Sequence, residues 1–149
     1  MFNRTLYSLE KKKELCQYAR KFGGKIFHGN SLDLITKLKD KKMALGLIDG
    51  NHNAKIVRRE ISFFLKRLSI GGIIFLHDTY RNASLLLKDR AKADPEIINS
   101  KKWVGDTYTV RQRLEGMKDI QTFTWPYTAM NCGLTMVMKL DPDRSYYEK

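Results

Sequence analysis

The sequence predicts an open α/β fold: a mostly parallel, twisted sheet with crossover helices and an antiparallel strand at its C-terminal edge. Two observations lead to this fold class. Short apolar runs alternate with amphipathic helical segments, which is the order that crossover helices between parallel strands produce. One run, residues 43–48 (MALGLI), is apolar on both faces, as expected of a central parallel strand with helices on both sides.

The first elements alternate strand, helix, strand and helix. Residues 4–9 are a short strand candidate, and residues 10–22 carry apolar side chains at helical spacing before a glycine pair. Residues 25–28 (KIFH) are a second strand. Asn30 or Ser31 can cap the helix that follows, because either side chain can accept a hydrogen bond from a free backbone N–H group.

The strand over residues 43–48 is followed by a long amphipathic helix over residues 54–68, with apolar side chains on one face and basic ones on the other. Residues 69–76 (SIGGIIFL) are the next strand, entered through a Gly-Gly turn. The remaining predicted elements are helices over 81–93 and 109–116, and a closing pair of strands over 119–124 and 133–140. We interpret residues 1–149 as one domain, and as a partial one for the reason given below.

The composition limits the function classes. Twenty-eight Lys and Arg residues against 16 Asp and Glu give a net charge of +12, which makes an acidic partner such as nucleic acid plausible, although a solvated basic surface is the preferred explanation because the basic residues are scattered. The two cysteines lack metal-type spacing, so we expect reduced thiols and a cytoplasmic protein. No apolar stretch is long enough to span a membrane.

Polar residues follow the predicted parallel strands, at the edge where open α/β sheets bind their ligands. Glu10 follows the first strand, Asp49 and His52 follow the third, and His77 and Asp78 follow the fourth. Each of these has an ordinary structural explanation alone, for example a turn at Asp49 or a helix cap at Asp78. Two neighbouring strands that both end in acid and imidazole side chains predict a functional site.

These residues also carry a family resemblance. Residues 47–80 (LIDGNHNAKIVRREISFFLKRLSIGGIIFLHDTY) resemble the centre of the class I S-adenosylmethionine-dependent methyltransferases, of the type that includes sugar and small-molecule O-methyltransferases. The pattern is a strand ending in Asp-Gly-x-His, a helix, a Gly-Gly turn and a strand ending in His-Asp. The likeness extends over residues 5–140. It implies a Rossmann-like fold and transfer of a methyl group to a hydroxyl of a sugar or other small polar acceptor.

The resemblance also implies roles for single residues. Glu10 would accept hydrogen bonds from the ribose hydroxyls of S-adenosylmethionine, and Asn30 and Ser31 would flank its adenine. Asp49 would lie near the methyl donor and, with Asp78, would hold a divalent metal such as Mg²⁺ in metal-dependent members.

His77 and His52 are the candidates for the general base, with His77 ranked first and Asp78 completing the catalytic set, since imidazole titrates near neutral pH. His77 departs from the all-carboxylate version of the metal site, which leaves both the identity and the presence of the metal open. Contact with the methyl donor, metal binding and general-base catalysis are therefore competing roles for these strand-end side chains.

One family feature is missing from the sequence. In the family a strand and a Gly-x-Gly loop precede the ribose-binding acid, whereas only nine residues precede Glu10 and none is glycine. The missing strand belongs between the strand ending at Glu10 and the one ending before Asp49. Three explanations stay open: a truncated sequence, a second chain or another copy that completes the sheet, or a degenerate domain.

A degenerate domain would make a different function plausible, that of a basic subunit binding nucleic acid or a ribonucleoprotein. The net charge and four aromatic residues, Trp103, Tyr108, Trp125 and Tyr127, favour it, because bases stack on aromatic rings. Packing against the sheet explains the same aromatics. A dinucleotide-dependent oxidoreductase is disfavoured, because the chain has no Gly-x-Gly-x-x-Gly.

Overall fold

A computed structural model describes residues 5–80, 105–126 and 132–140 of the chain. The chain divides into two compact units, Met1–Lys41 and Lys42–Lys149, called here the N-terminal and C-terminal units. The helix predicted over residues 81–93 lies outside the described residues. No helix in the described part of the chain is long and apolar enough to cross a membrane.

The N-terminal unit is a parallel two-stranded sheet with its crossover helix. β1 (Tyr7–Glu10) pairs with β2 (Lys25–His28), so that Glu10 stands opposite His28. The helical elements are α1 (Lys13–Arg20), α2 (Ser31–Leu34) and a 3₁₀ turn (Ile35–Leu38). Asn30 caps α2, as the sequence predicts, because its side chain accepts a hydrogen bond from the backbone N–H of Leu32.

The C-terminal unit is a four-stranded sheet in the order β3-β4-β6-β5. β3 and β4 are parallel, whereas β6 runs antiparallel to both of its neighbours. Its elements in chain order are β3 (Met43–Ile48), α3 (Ala54–Arg67), β4 (Leu68–His77), α4 (Tyr108–Glu115), β5 (Ile120–Trp125) and β6 (Leu134–Lys139). These bounds agree closely with the sequence-based elements, and the mixed α/β fold is confirmed.

The core of the C-terminal unit lies between α3 and the sheet. Val57, Ile61 and Leu65 recur every four residues along α3 and are fully buried, together with Ile74 and Leu76 of β4. This spacing puts the three side chains on one face of the helix. The opposite face of α3 carries most of its basic residues.

Two details differ from the sequence-based prediction. Gly71 and Gly72 lie inside β4 and not in a turn before it: Gly71 has a φ of +71° and the β3–β4 pairing shifts there, so the glycines make an irregularity in the strand. The closing strands are antiparallel as predicted, but β6 pairs on both sides and β5 takes the edge.

β3 lies at an edge of the four-stranded sheet in the described part of the chain. Among the described residues β3 has one hydrogen-bonded neighbour, β4, and β1 belongs to a different sheet. Leu45 and Leu47 of β3 are 65% and 64% exposed, although the sequence predicts a strand buried on both faces. Gly46 and Ile48 face α3, so the two leucines that alternate with them lie on the opposite face of the strand, which is exposed in the described part of the chain.

Candidate active site at the ends of β3 and β4

The carboxyl ends of β3 and β4 are adjacent, since Ile48 pairs with Leu76 in the parallel register. The residues that follow the two strands therefore meet at one edge of the sheet. The structure brings together four of the residues that the sequence singles out, Asp49, His52, His77 and Asp78, and we call them the strand-end cluster.

The imidazole of His77 lies between two carboxylates. Its Nδ1 is 3.1 Å from Oδ1 of Asp49 and 3.2 Å from Oδ1 of Asp78. Neither contact has the angle of a hydrogen bond, so both are ion-pair contacts that strengthen when the ring is protonated. The other ring nitrogen, Nε2, is 3.5 Å from Sγ of Cys132. Both nitrogens of His77 thus have partners inside the protein.

His52 forms the shortest contact of the cluster, with Nε2 at 2.7 Å from Oδ2 of Asp78. The side chain of Asp78 is only 6% exposed, whereas that of His52 is 36% exposed. A buried carboxylate behind a more accessible imidazole can fix the orientation of the ring and stabilise its protonated form. The pair has the geometry of a general base with its orienting acid.

The backbone of Asp78 is held in an uncommon conformation, with a φ of +57°. Aspartate tolerates this left-handed region better than most residues, yet it still needs support from its surroundings. Two hydrogen bonds fix the residues that follow Asp78. The buried hydroxyl of Thr79 accepts a hydrogen bond from Thr135 of β6 at 2.8 Å. The N–H of Tyr80 donates a hydrogen bond to the carbonyl of Cys132 at 2.9 Å.

The loop that carries Asp49 and His52 is held from a distant part of the chain. Asp106 donates its N–H to the carbonyl of His52 at 3.0 Å, and its carboxylate accepts a hydrogen bond from the N–H of Ala54 in the first turn of α3. Gly105 lies directly against this loop: a Cβ there would be 2.0 Å from the carbonyl oxygen of His52. The position can therefore hold only glycine without moving the loop.

Three residues of this site were not identified from the sequence: Asp106, Cys132 and Thr135. Cys132 and His77 are 55 positions apart, and no local motif links them. The one sequence signal was the position of Cys132 just before a strand, and the sequence predicts correctly that it is a free thiol, as is Cys16. The contact with His77 depends on β6 lying beside β4.

The predicted cofactor residues Glu10, Asn30 and Ser31 lie together in the N-terminal unit. Glu10 ends β1, and Asn30 and Ser31 follow β2, so they meet at one edge of the two-stranded sheet. Oε1 of Glu10 accepts the N–H of Lys12 at 2.8 Å, and Oε2 forms no hydrogen bond within the described residues. Asn30 uses its side-chain oxygen as a helix cap.

The strand-end cluster also contains a set of atoms that can bind a cation. One carboxylate oxygen each from Asp49 and Asp78 and one ring nitrogen of His52 all lie within 4.8 Å of one another. Two carboxylates and an imidazole fit Mn²⁺ or Zn²⁺ better than Mg²⁺, which prefers an oxygen shell. His77, Asp78 and Cys132 form a second such group that shares Asp78.

Residues 4–79 match a family model described as a methyltransferase domain. The match covers just over half of the chain and includes β1 to β4, the strand-end cluster and Thr79. Cys132 and Asp106 lie outside it. No protein of curated function matches the chain.

The fold is similar to those of solved methyltransferases. The O-methyltransferase TomG of Streptomyces achromogenes, in complex with S-adenosylmethionine, shares 12% identity and a TM-score of 0.70 over 95% of this chain and 64% of its own. An O-methyltransferase of Bacillus cereus with bound S-adenosylhomocysteine shares 11% identity and a TM-score of 0.66, over 91% and 62%. An S-adenosylhomocysteine-bound methyltransferase of Podospora anserina shares 16% identity and a TM-score of 0.66, over 92% of this chain and 61% of its own.

The fold is therefore that of the class I, S-adenosylmethionine-dependent methyltransferases. Within that class, the chain belongs to the family of methyltransferase domains that its residues 4–79 match. It spans less than two thirds of the length of the solved relatives.

Proposed function

We propose that the protein transfers the methyl group of S-adenosylmethionine to a hydroxyl of a small polar acceptor, such as a sugar. One observation carries the proposal: in a chain of a methyltransferase family, a buried Asp78 lies 2.7 Å from His52 at the edge where two parallel strands end. The names of the relatives from Streptomyces achromogenes and Bacillus cereus, both O-methyltransferases with bound cosubstrate or product, support the choice of oxygen as the acceptor atom.

His52 accepts the proton of the acceptor hydroxyl in this proposal, and Asp78 holds the ring in place and stabilises its positive charge. S-adenosylmethionine supplies a methyl group bonded to a sulfonium. The hydroxyl oxygen forms a bond to this carbon as the carbon–sulfur bond breaks, which yields the methyl ether and S-adenosylhomocysteine, with the proton on His52.

The contacts favour His52 over His77 as the base, which reverses their order in the sequence analysis. His77 has Asp49 and Asp78 at one nitrogen and Cys132 at the other, whereas His52 is the more exposed ring. We assign His77 the role of linking Asp49 to Asp78. A positioning role of this kind keeps the two strand ends in a fixed relation.

The N-terminal unit supplies the cofactor residues in this proposal. Oε2 of Glu10 is available to accept ribose hydroxyls, because the only hydrogen bond to this carboxylate within the described residues goes to Oε1. Asn30 and Ser31 follow the neighbouring strand and would line the adenine, and Asp49 would lie nearest the methyl donor.

A paired test separates ribose binding by Glu10 from a general effect of negative charge. Glu10→Gln should weaken binding of S-adenosylhomocysteine in calorimetry, whereas Glu14→Gln, an exposed acid in α1, should not.

A divalent cation, when bound, would be held by Asp49 and Asp78, with His52 in the same group of donors. It would polarise the acceptor hydroxyl and favour its deprotonated form. Activation of the hydroxyl by a cation and deprotonation by His52 predict opposite responses of turnover to chelation. With His52 as the base, turnover should survive EDTA; a cation-dependent enzyme should lose turnover in EDTA and regain it with Mn²⁺.

The central experiment measures release of S-adenosylhomocysteine from S-adenosylmethionine in the presence of a pool of small hydroxylated acceptors. Asp78→Asn should lower the rate about 10²- to 10⁴-fold, because it removes the charge that stabilises protonated His52. Asp40→Asn, the same change at an exposed loop position, is the control and should leave the rate unchanged. Equal rates for wild type and a folded Asp78→Asn protein would contradict the proposed function.

A further inference from the structure

A groove lined by basic side chains runs along the outer face of α3, opposite the core stripe of that helix. It has a volume of about 480 Å³, and we call it the cationic groove. Five of the residues that line it are basic: Arg58, Arg59, Lys66 and Arg67 of α3, and Arg113 of α4. The other two are Ser62 and Phe63, so none of the described lining residues is acidic.

Helical spacing explains how so many charges come together. Positions 58, 62 and 66 form one row of α3, and positions 59, 63 and 67 form the next, so the two rows are neighbours on one face. Each row carries a basic residue at both ends, eight positions apart, with the uncharged Ser62 or Phe63 between them. An anionic ligand that lies along both rows would meet a positive charge at each end.

Two side chains in the groove have features that favour a planar, phosphate-bearing ligand. Nε of Arg58 is buried and forms no hydrogen bond within the described residues, so a shift of this side chain toward the groove would let a phosphate oxygen accept from it. Cζ of the Arg67 guanidinium lies over the ring of Phe63, 3.7 Å from the ring centroid. This cation–π pair offers planar groups on which a base can stack.

The cationic groove is separate from the strand-end cluster. α3 begins at Ala54, close to His52; Arg58 lies about 6 Å along the helix from Ala54 and Arg67 about 20 Å. None of the residues that line the groove belongs to the strand-end cluster.

We propose that the cationic groove binds single-stranded nucleic acid, with the arginines and Lys66 on the phosphates and a base on the Arg67–Phe63 pair. The distance from position 58 to position 67, about 14 Å along the helix, matches a few nucleotides and is too short for the two grooves of a duplex. The net charge of +12 attracts any nucleic acid to the surface, and the groove determines where it binds.

Of the four aromatic residues that the sequence analysis names for stacking, Tyr108 and Trp125 are described, and neither lines the groove. Trp125 packs against Phe123, with ring centroids 4.6 Å apart, and against Phe75 at 6.4 Å. Trp103 and Tyr127 lie outside the described residues. Phe63, which the sequence analysis assigns to the helix alone, is the aromatic residue of the groove.

Fluorescence anisotropy with a labelled 12-nucleotide oligouridine, measured over a range of salt concentrations, tests the proposal. The Arg59→Gln/Lys66→Gln variant removes two exposed groove charges, and Lys41→Gln/Lys42→Gln removes two exposed charges elsewhere. Each lowers the net charge from +12 by two. The groove variant should reduce the slope of log affinity against log salt by about 1.4, that is about 0.7 for each lost phosphate contact, and the control variant should not.

Equal losses of slope in the two variants would overturn the proposal, because binding would then follow the total charge. Absence of binding to the oligouridine, or tighter binding to a duplex of the same length, would also overturn it. Circular dichroism on the same proteins shows that both variants are folded. Binding of S-adenosylhomocysteine, measured separately by calorimetry, tests the proposed function, so a failure of the proposed enzyme function and a failure of the nucleic-acid groove give different results.

Discussion

Asp78 is the residue on which most of the strand-end cluster depends. One of its oxygens contacts His52 and the other contacts His77, and its left-handed backbone is held by the hydrogen bonds of Thr79 and Tyr80. The side chain is buried, so its charge is compensated mainly by the two imidazoles. Loss of this one carboxylate should therefore affect both histidines together.

At the scale of single residues, the sequence predicts the side chains of the strand-end cluster but not the residues that hold them in place. Asp49, His52, His77 and Asp78 were identified because strand ends in a parallel sheet share an edge, a rule that needs only local patterns. Cys132 and Asp106 could not be identified in the same way. Their contacts depend on where distant segments pack, and one cysteine or one aspartate in a loop carries no spacing signal.

Lys139 gives a prediction on stability. It is 4% exposed, and its Nζ donates hydrogen bonds to the carbonyls of Leu65 at 3.0 Å and Leu68 at 3.2 Å, at the C-terminal end of α3. A positive charge is favourable at that end of a helix. Lys139→Met should lower the free energy of unfolding by about 1–3 kcal/mol, because the buried carbonyls lose their donor.

Chemical denaturation measures the change, and Lys118→Met, which alters an exposed lysine in the same way, is the control. The explanation fails if the two variants lose the same stability. Turnover should fall with Lys139→Met only as far as the folded fraction falls.

At the scale of elements, the sequence predicts every described strand and helix within a few residues, and β2 and β3 with their observed bounds. Hydrophobic periodicity is strong enough for that. It does not fix the neighbours of a strand. The insertion of β6 between β4 and β5 and the glycine irregularity inside β4 depend on pairing between segments, which the pattern of one segment does not contain.

Two glycines offer a matched test of how the His52 loop is held. Gly105 and Gly71 have similar φ values, +64° and +71°, but a Cβ at Gly105 would collide with the carbonyl of His52, whereas a Cβ at Gly71 would meet nothing within 4 Å. Gly71→Ala should cost about 1–2 kcal/mol, the usual penalty of the left-handed conformation. Gly105→Ala should cost more, because it adds the collision.

Gly105→Ala should also lower turnover beyond the loss of folded protein, since the collision displaces the loop that carries His52. Thermal unfolding and the rate per folded molecule give the two effects separately. A Gly105→Ala protein as stable and as active as Gly71→Ala would show that the loop adapts, and the positioning role of residues 105 and 106 would have to be abandoned.

At the scale of the whole molecule, the two units carry different parts of the family pattern. The N-terminal unit holds the residues assigned to the cofactor, and the C-terminal unit holds the strand-end cluster and the cationic groove. β3 is an edge strand with exposed leucines, where the sequence predicts a missing neighbour. The prediction that one domain spans residues 1–149 and that a further strand completes its sheet stays a prediction.

The net charge shows what composition can and cannot predict. A net charge of +12 attracts anions to the molecule as a whole, but it does not locate a binding surface. The groove exists because five basic residues of two helices face the same way, which requires α4 to pack beside α3. That packing is a property of the folded chain.

A double-mutant cycle on turnover tests the central claim most directly, because it asks whether His52 and Asp78 act as one unit. The rate of S-adenosylhomocysteine release is measured for wild type, His52→Gln, Asp78→Asn and the double variant, each shown to be folded by circular dichroism. We expect the double variant to be within about twofold of the slower single variant, as for groups that work together. Single effects that multiply in the double variant, or wild-type rates in either single variant, would contradict the account.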